Sequence, residues 1–315
     1  MLALEFMQRA LLAALLVGLA APAVGTFLVQ RRLALVGDGI GHVALAGVAA
    51  GVFTATSPIG TALIAAVAGA VLVELLRARG RTGGDVALAV LFYGGIAGGV
   101  VLISLAPDGR GANLTGYLFG AITTTSWTDL AIFAVLGVVV LGTIALLGQR
   151  LFAVSNDEEY ARASGMHVLA LNILLAVLVA VTVVVSMRVV GLLLISALMI
   201  IPNAAAQQIA RSFRATVLVA IAVGVTTSVA GVALSYAAGT PSGGTIVLLA
   251  IAFFLLAVVG SQVRAAAHRR RGGLPDHPHE HGPGCGHEAL THEGHVDYLH
   301  DGERHAAHGG HYDQH

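Results

Sequence analysis

The 315-residue sequence has no lysine, one cysteine, one tryptophan and only 11% charged residues. Each shortage excludes something. Without lysine there can be no phosphate-binding loop of the G-x-x-x-x-G-K-[ST] type, so the chain cannot hydrolyse ATP through a Walker motif of its own. A single Cys285 rules out an intrachain disulfide and leaves the redox compartment open. HExxH and G-x-S-x-G are missing too, which leaves an enzymatic reading little to stand on. The formal net charge of +0 gives no electrostatic case for a nucleic-acid partner. Soluble domains carry about 25% charged residues, far more than are found here.

Apolar sequence is what the chain has instead: 57% hydrophobic residues and a mean hydropathy of +0.85. A ~30 Å hydrocarbon core is crossed by a helix of ~20 apolar residues. Runs of that kind fall near 10–29, 33–54, 59–76, 86–105, 128–148, 168–187, 189–202, 215–237 and 244–263. The 189–202 run is too short to span alone and ends at Pro202, as a broken or half-membrane helix would. The expected count is therefore eight or nine spans. No convincing signal-peptidase site follows the first run, so it reads as a retained span. Forty glycines, dense in stretches such as 94–99 (GGIAGG), let helix backbones approach closely. The expected fold is an all-α polytopic membrane bundle over 1–264, followed by a separate tail over 265–315.

Basic residues orient the bundle. Arg77, Arg79 and Arg81, then Arg150 and Arg162, then Arg211 and Arg214, then Arg264 with Arg269, Arg270 and Arg271 share one side if 189–202 crosses. The positive-inside rule makes that side cytoplasmic. Arg31, Arg32 and the tail fall inside with them, and the N-terminus falls outside.

The tail is a different kind of sequence. Residues 268–315 hold 12 of the 14 histidines, with 4 Arg against 8 acids. Imidazole is the commonest side-chain ligand for late first-row metals. His277, His279, His281, Cys285, His287, His292, His295, His300, His305, His308, His311 and His315 are candidate ligands for Zn²⁺ or Ni²⁺. Their scatter among Asp, Glu and Gly argues against a purification tag. With almost no large apolar residues, the tail is expected to be disordered without metal.

Inside the spans, ionisable groups are costly and so are functional candidates. Asp38 and His42, in LVGDGIGHVALAG, lie one turn apart and share a helix face. A carboxylate and an imidazole are two of the ligands that Zn²⁺, Mn²⁺ or Fe²⁺ needs. At 1.5 Å per residue they are expected roughly 8–14 Å into the span. The bland alternative is that Asp38 caps a half-helix and His42 makes one hydrogen bond. Asp85 reads as an N-cap, Arg188 as a residue snorkelling to an interface, and Glu74 as an interfacial partner of Arg77. The segment LFAVSNDEEYARASGMHV (151–168) predicts a short helix with an acidic first turn at Asp157, Glu158 and Glu159. Asn156 or Ser155 would cap it and Gly165 would end it. The bland alternative is a solvated connector.

These residues resemble a family. LALVGDGIGHVALAGVAAG (33–51), GGDVALAVLFYGGIAGGVVL (83–102), LTGYLFGAITTTSWTDL (114–130), the 151–168 segment and VVGLLLISALMIIPNAAAQQIA (189–210) are similar, in order, to segments of the membrane permeases of zinc/manganese/iron ABC importers. Those permeases are related in fold to the cobalamin and siderophore importers. Ala46 stands where the family usually has Pro, Gly84 where an acid is common, and Asn203 where a small residue is usual. The resemblance covers roughly 6–263 and implies that Asp38 and His42 take the family's Asp and His positions. It implies a second copy of the chain, a separate cytoplasmic ATP-binding subunit docked on Asp157, Glu158, Glu159, Ala161 and Gly165, and an extracytoplasmic metal-binding protein. No cofactor is held permanently; Zn²⁺ is the expected cargo and a tail ligand, in a bacterial plasma membrane.

Two other classes compete. A secondary zinc transporter of the cation-diffusion type also pairs Asp and His at i, i+4, but needs a second such pair. Between 86 and 263 the only acid touching an apolar run is Asp129, at its edge. A metal sensor or scaffold would leave the Asp38/His42 pair unexplained.

Overall fold

The structure, a computed structural model, describes residues 4–79, 84–106, 114–121, 125–187, 189–192, 194–270, 285–292, 295–300, 303–308 and 311–314. Arg188 and the tail residues His277, His279, His281 and His315 lie outside the described residues. The chain divides into two compact units, Met1–Ala257 and Val258–His315.

Eight helices among the described residues are long and apolar enough to cross a membrane. They are α1 (Glu5–Gln30), α2 (Val36–Phe53), α3 (Pro58–Ala78), α4 (Gly84–Ser104), α6 (Trp127–Asn156), α8 (Val168–Ser186), α10 (Phe213–Ala238) and α11 (Ser242–Arg270). Shorter helices are α5 (Leu114–Phe119), α7 (Glu158–Ala163) and α9 (Ile195–Gln207). The expected all-α polytopic bundle is what forms. α1, α2 and α8 are the central helices, with most of their span windows buried. Their interface positions are small, which is how helices associate where lipid is as apolar as leucine. Ala10, Ala13, Ala14, Ala20 and Ala21 of α1 are all buried, and the large buried side chains (Phe27, Phe133, Met7, Ile40, Leu198, Met199) fill what the alanines leave.

In the 189–202 run the described residues 189–192 are not helical, and α9, a shorter apolar helix, begins at Ile195. Gly191 makes the break possible: its φ of +91° is a left-handed conformation that suits glycine. Pro202 does not end the helix as expected but lies inside α9, which continues to Gln207. Neighbouring helices let such prolines persist in membrane helices.

Helix termini follow local chemistry. Ser57 caps α3, with Pro58 at its first position. Ser126 and Asp129 close a reciprocal capping box on α6, which accounts for the acid at the edge of that run. The cap of α7 is Asp157, whose carboxylate accepts from the Tyr160 amide at 2.8 Å, and not Asn156 or Ser155. Both of those are still inside α6, which runs on to Asn156. Gly165, at φ +77°, ends α7 as expected.

The described residues of the tail form a four-stranded antiparallel meander: β1 (Glu288–His292), β2 (His295–His300), β3 (Glu303–His308) and β4 (His311–Gln314). The two-residue intervals between strands read Glu293-Gly294, Asp301-Gly302 and Gly309-Gly310, eight residues apart. Such glycine dipeptides are hairpin signals. Asp297 of β2 is completely buried, and Leu290 of β1 and Tyr298 of β2 are half-buried.

Candidate metal path

α2 starts at Val36, three residues later than the apolar run, because Leu33–Leu35 form a tight turn closed by the Val36 amide on the Leu33 carbonyl. Asp38 therefore lies in the first turn of α2, and His42 one turn further. The expected depth of the pair is corrected accordingly, to about 3–9 Å beyond the helix start at 1.5 Å per residue. Asp38 does not cap α2, which has no side-chain cap. Instead its carboxylate accepts a hydrogen bond from the Ser196 hydroxyl. Ser196 sits in the first turn of α9. The first turns of two helices thus meet on one carboxylate, and the partial positive charge of helix N-termini favours an anion there.

His42 is half-buried, and its ring meets Phe92 of α4 edge-on at 4.2 Å. Its Nδ1 is buried without a hydrogen-bond partner. Leaving a buried polar group unmade costs about 1–3 kcal/mol, so such an atom asks for an explanation.

Alternating glycines bring the walls in. A Cβ on Gly37 would stand 3.3 Å from Ser196, one on Gly39 would clash with Leu88, and one on Gly41 would meet the Leu192 carbonyl at 3.0 Å. From α4, a Cβ on Gly95 would stand 2.6 Å from the His42 carbonyl carbon, so only glycine lets α4 lie against α2 there. Among the described residues no group of three or more His, Cys, Asp and Glu converges as a closed metal centre. The pair with Ser196 is a candidate for a transient station, where binding must be selective yet weak enough to release.

Asn203, one of the departures from the family pattern, has a structural task. It is fully buried; its amide donates to the carbonyls of Pro22 at 2.9 Å and Met199 at 2.8 Å. Its carbonyl accepts from the Thr26 hydroxyl at 2.6 Å. That ties α9 to α1 and leaves Asn203 no role as a ligand in this arrangement. Of Gly84, the other departure, and its neighbour Asp85, only the helical backbone is described; both open α4.

At the end of the bundle bearing the α1–α2 turn, a polar cavity of about 320 Å³ is lined by Arg31, Glu74, Arg77, Glu158, Arg162 and Asn172. Glu74 pairs with Arg77 at 2.8 Å, as expected from sequence. Glu158 of α7 meets Arg31 at 3.6 Å, Arg162 at 3.7 Å and the Asn172 amide at 3.2 Å. Burial pushes the Arg31 guanidinium down from its ordinary value, opposed by Glu74, with Arg77 adding to the downward push and Glu158 opposing it. Ala161 is fully buried against Val154 and Val168, while Glu159 and Tyr160 are exposed. The segment is thus a helix anchored on one face, not a solvated connector. Sequence reasoning missed Ser196 and Arg31. The signal for the first was a lone hydroxyl in an apolar run, and for the second a basic residue seven positions before Asp38.

Residues 3–261 match the ABC 3 transport family. The manganese transport system membrane protein MntC of Halalkalibacterium halodurans is 33% identical over 82% of this chain and 88% of that protein. The high-affinity zinc uptake system membrane protein ZnuB of Haemophilus influenzae is 30% identical over 81% of this chain and 97% of that protein. Among solved structures, PsaBC from Streptococcus pneumoniae in complex with Fab superposes with a TM-score of 0.73 at 32% identity, covering 81% of this chain and 91% of that one. The chain belongs to the ABC 3 transport family. It is a multi-pass membrane permease of the divalent-metal ABC class and not an enzyme; ATP hydrolysis falls to a separate subunit. The cation-diffusion alternative falls with that assignment.

Proposed function

We propose that this chain moves zinc inward across a bacterial plasma membrane, by alternating access, as one of two identical permease copies. The carrying observation is the Asp38/His42 pair: one turn apart, Asp38 bonded to Ser196, His42 with a buried Nδ1 that has no partner. A cation reaching that nitrogen and the Asp38 carboxylate would satisfy both. An ATP-binding subunit docks on the exposed face of α7, and an extracytoplasmic metal-binding protein delivers the ion. Closure of the ATPase pair, passed through α7, supplies the switch between two arrangements of the bundle. Zinc is favoured by the tail, where 12 imidazoles and one thiol follow the last span. Manganese prefers oxygen ligands. The tail lies in the cytoplasm, by the positive-inside rule applied to Arg264 and Arg269–Arg271, and buffers or senses zinc at the exit.

A second cargo, manganese, is supported by the Ser196 hydroxyl, which makes two of the three polar groups at the station oxygen donors. Vesicles containing the chain alone should show no ATP-driven zinc uptake. Adding its ATPase and binding protein should restore it, and manganese should compete poorly. Proton-driven zinc uptake by the chain alone would overturn the ABC mechanism; preferential manganese uptake by the full system would overturn zinc as cargo.

A further inference from the structure

α6 and α10 both pack on α1 but hardly meet each other, so the space between them is a groove with α1 as its floor. Three rings close one end of it. Phe152 of α6 and Phe213 of α10 stand 4.3 Å apart between centroids, and Phe213 stands 5.6 Å from Phe27 of α1. Beyond the rings the groove opens to about 560 Å³, because α6 turns Ala145 and Gly148 toward it. A Cβ on Gly148 would meet nothing within 4 Å. Leu218 of α10 lines the groove and is exposed, so the groove opens on the outer surface of the bundle. The polar side chains in its lining are Gln149 and Arg214, both exposed. α6 has 30 residues, about 45 Å at 1.5 Å per residue, and so overshoots a hydrocarbon core of ~30 Å. Gln149 lies about 10 Å before its last residue, near the boundary between hydrocarbon and headgroups.

We propose that this groove binds one anionic phospholipid, with an acyl chain between α6 and α10 and the headgroup phosphate at Arg214 and Gln149. Bilayer lipid is as apolar as the groove walls, so burial alone gives no chain an advantage there. Charge makes the selection. Among the described residues no acid lines the groove and none stands in the first turn of α10. The ion pairs at this end of the bundle engage Arg31, Arg77 and Arg162, not Arg214. A guanidinium with no carboxylate beside it holds a phosphate through charge-assisted hydrogen bonds, and basic pockets between membrane helices take anionic headgroups. An apolar helix seated here would cover the walls but leave Arg214 without a counter-charge; an anionic phospholipid brings both chain and charge. The inference rests on the chain being a multi-pass membrane protein and is independent of its cargo.

The test uses the full chain in mild detergent, with phosphatidylglycerol titrated in and bound lipid counted by native mass spectrometry. Phosphatidylcholine with the same acyl chains is the comparison, since its headgroup carries no net charge. One phosphatidylglycerol should bind more tightly than the rest and more tightly than phosphatidylcholine, and should raise the unfolding temperature. Arg214→Gln should weaken that site about fivefold, the scale of one arginine at an anionic surface, and Arg214→Lys should recover part of the loss. Arg79→Gln, which removes an exposed arginine outside the groove, should leave the site intact. Gly148→Phe should fill the groove and abolish the tight site, while Leu146→Phe, on exposed surface beside it, should not. Equal affinity for the two lipids, wild-type binding by Arg214→Gln, or equal loss with Arg79→Gln would overturn the headgroup site. Tight binding that survives Gly148→Phe would overturn the groove; if that variant also turns a dimer into monomer, the groove is covered by a second copy and not by lipid.

Discussion

α9 contributes two polar groups to the membrane interior, and they are opposites. Ser196, in its first turn, donates to Asp38 beside a histidine whose Nδ1 has no partner. Asn203, seven residues on, is fully buried with both amide hydrogens and its carbonyl engaged. Both clusters cross-link α9 to an N-terminal helix, the first to α2 and the second to α1. The difference is in the valences left over. A saturated cluster fixes helices against each other; an unsaturated one leaves a buried polar atom without a partner. Burial alone would not separate them, but the completeness of hydrogen bonding does.

The largest effect that sharpens this contrast belongs to the open cluster. Asp38→Ala or His42→Ala should lower zinc uptake by the reconstituted system about 100-fold or more, since even outer-shell support of a metal is worth 10–100-fold. Gel filtration should show the assembled complex intact. Wild-type uptake in both variants would remove the pair from the path. Next comes the closed cluster, with the opposite signature. Asn203→Ala should destabilise the purified chain by roughly 1–2 kcal/mol, read as a lower unfolding temperature in detergent, while uptake persists in the cold. A smaller effect is expected from Arg31→Met or Glu158→Gln, which sever α7 from the α1–α2 turn. With Glu158 partly exposed, the pair is worth about 0.2–1 kcal/mol. Transport per ATP hydrolysed should fall a few-fold, and Arg31→Glu/Glu158→Arg should recover part of it. Smallest of all, deleting 268–315 should leave the maximal rate unchanged and alter only its response to cytoplasmic metal. Loss of all transport would show that the tail is more than an accessory.

How much of this was legible beforehand depended on distance along the chain. Asp38 and His42 are one turn apart, and helical period makes that relation local. The spans, the break before α9, the Glu74–Arg77 pair and the α7 stop at Gly165 are local in the same sense. Ser196 meets Asp38 across 158 residues, and Asn203 meets Thr26 across 177. No periodicity in one sequence carries such pairings. The cap of α7 was misplaced by one residue because α6 runs on further than hydropathy alone indicates. In the tail, glycine dipeptides recur every eight residues, a pattern that composition does not carry. Two-residue intervals and a strand pattern need little apolar area to be written into a sequence.

The contact at Gly95 has a consequence for what surrounds the path. Because α4 lies directly on the His42 backbone there, α4 is itself the outer wall, only one helix thick. Its far side presents Val86, Val90 and Tyr93, the last 69% exposed. Whatever covers that side, acyl chains or a second copy of the chain, is one helix diameter from His42, about 10 Å. The environment of the permease is therefore a single layer of protein from His42, and changes in that environment have a short way to travel.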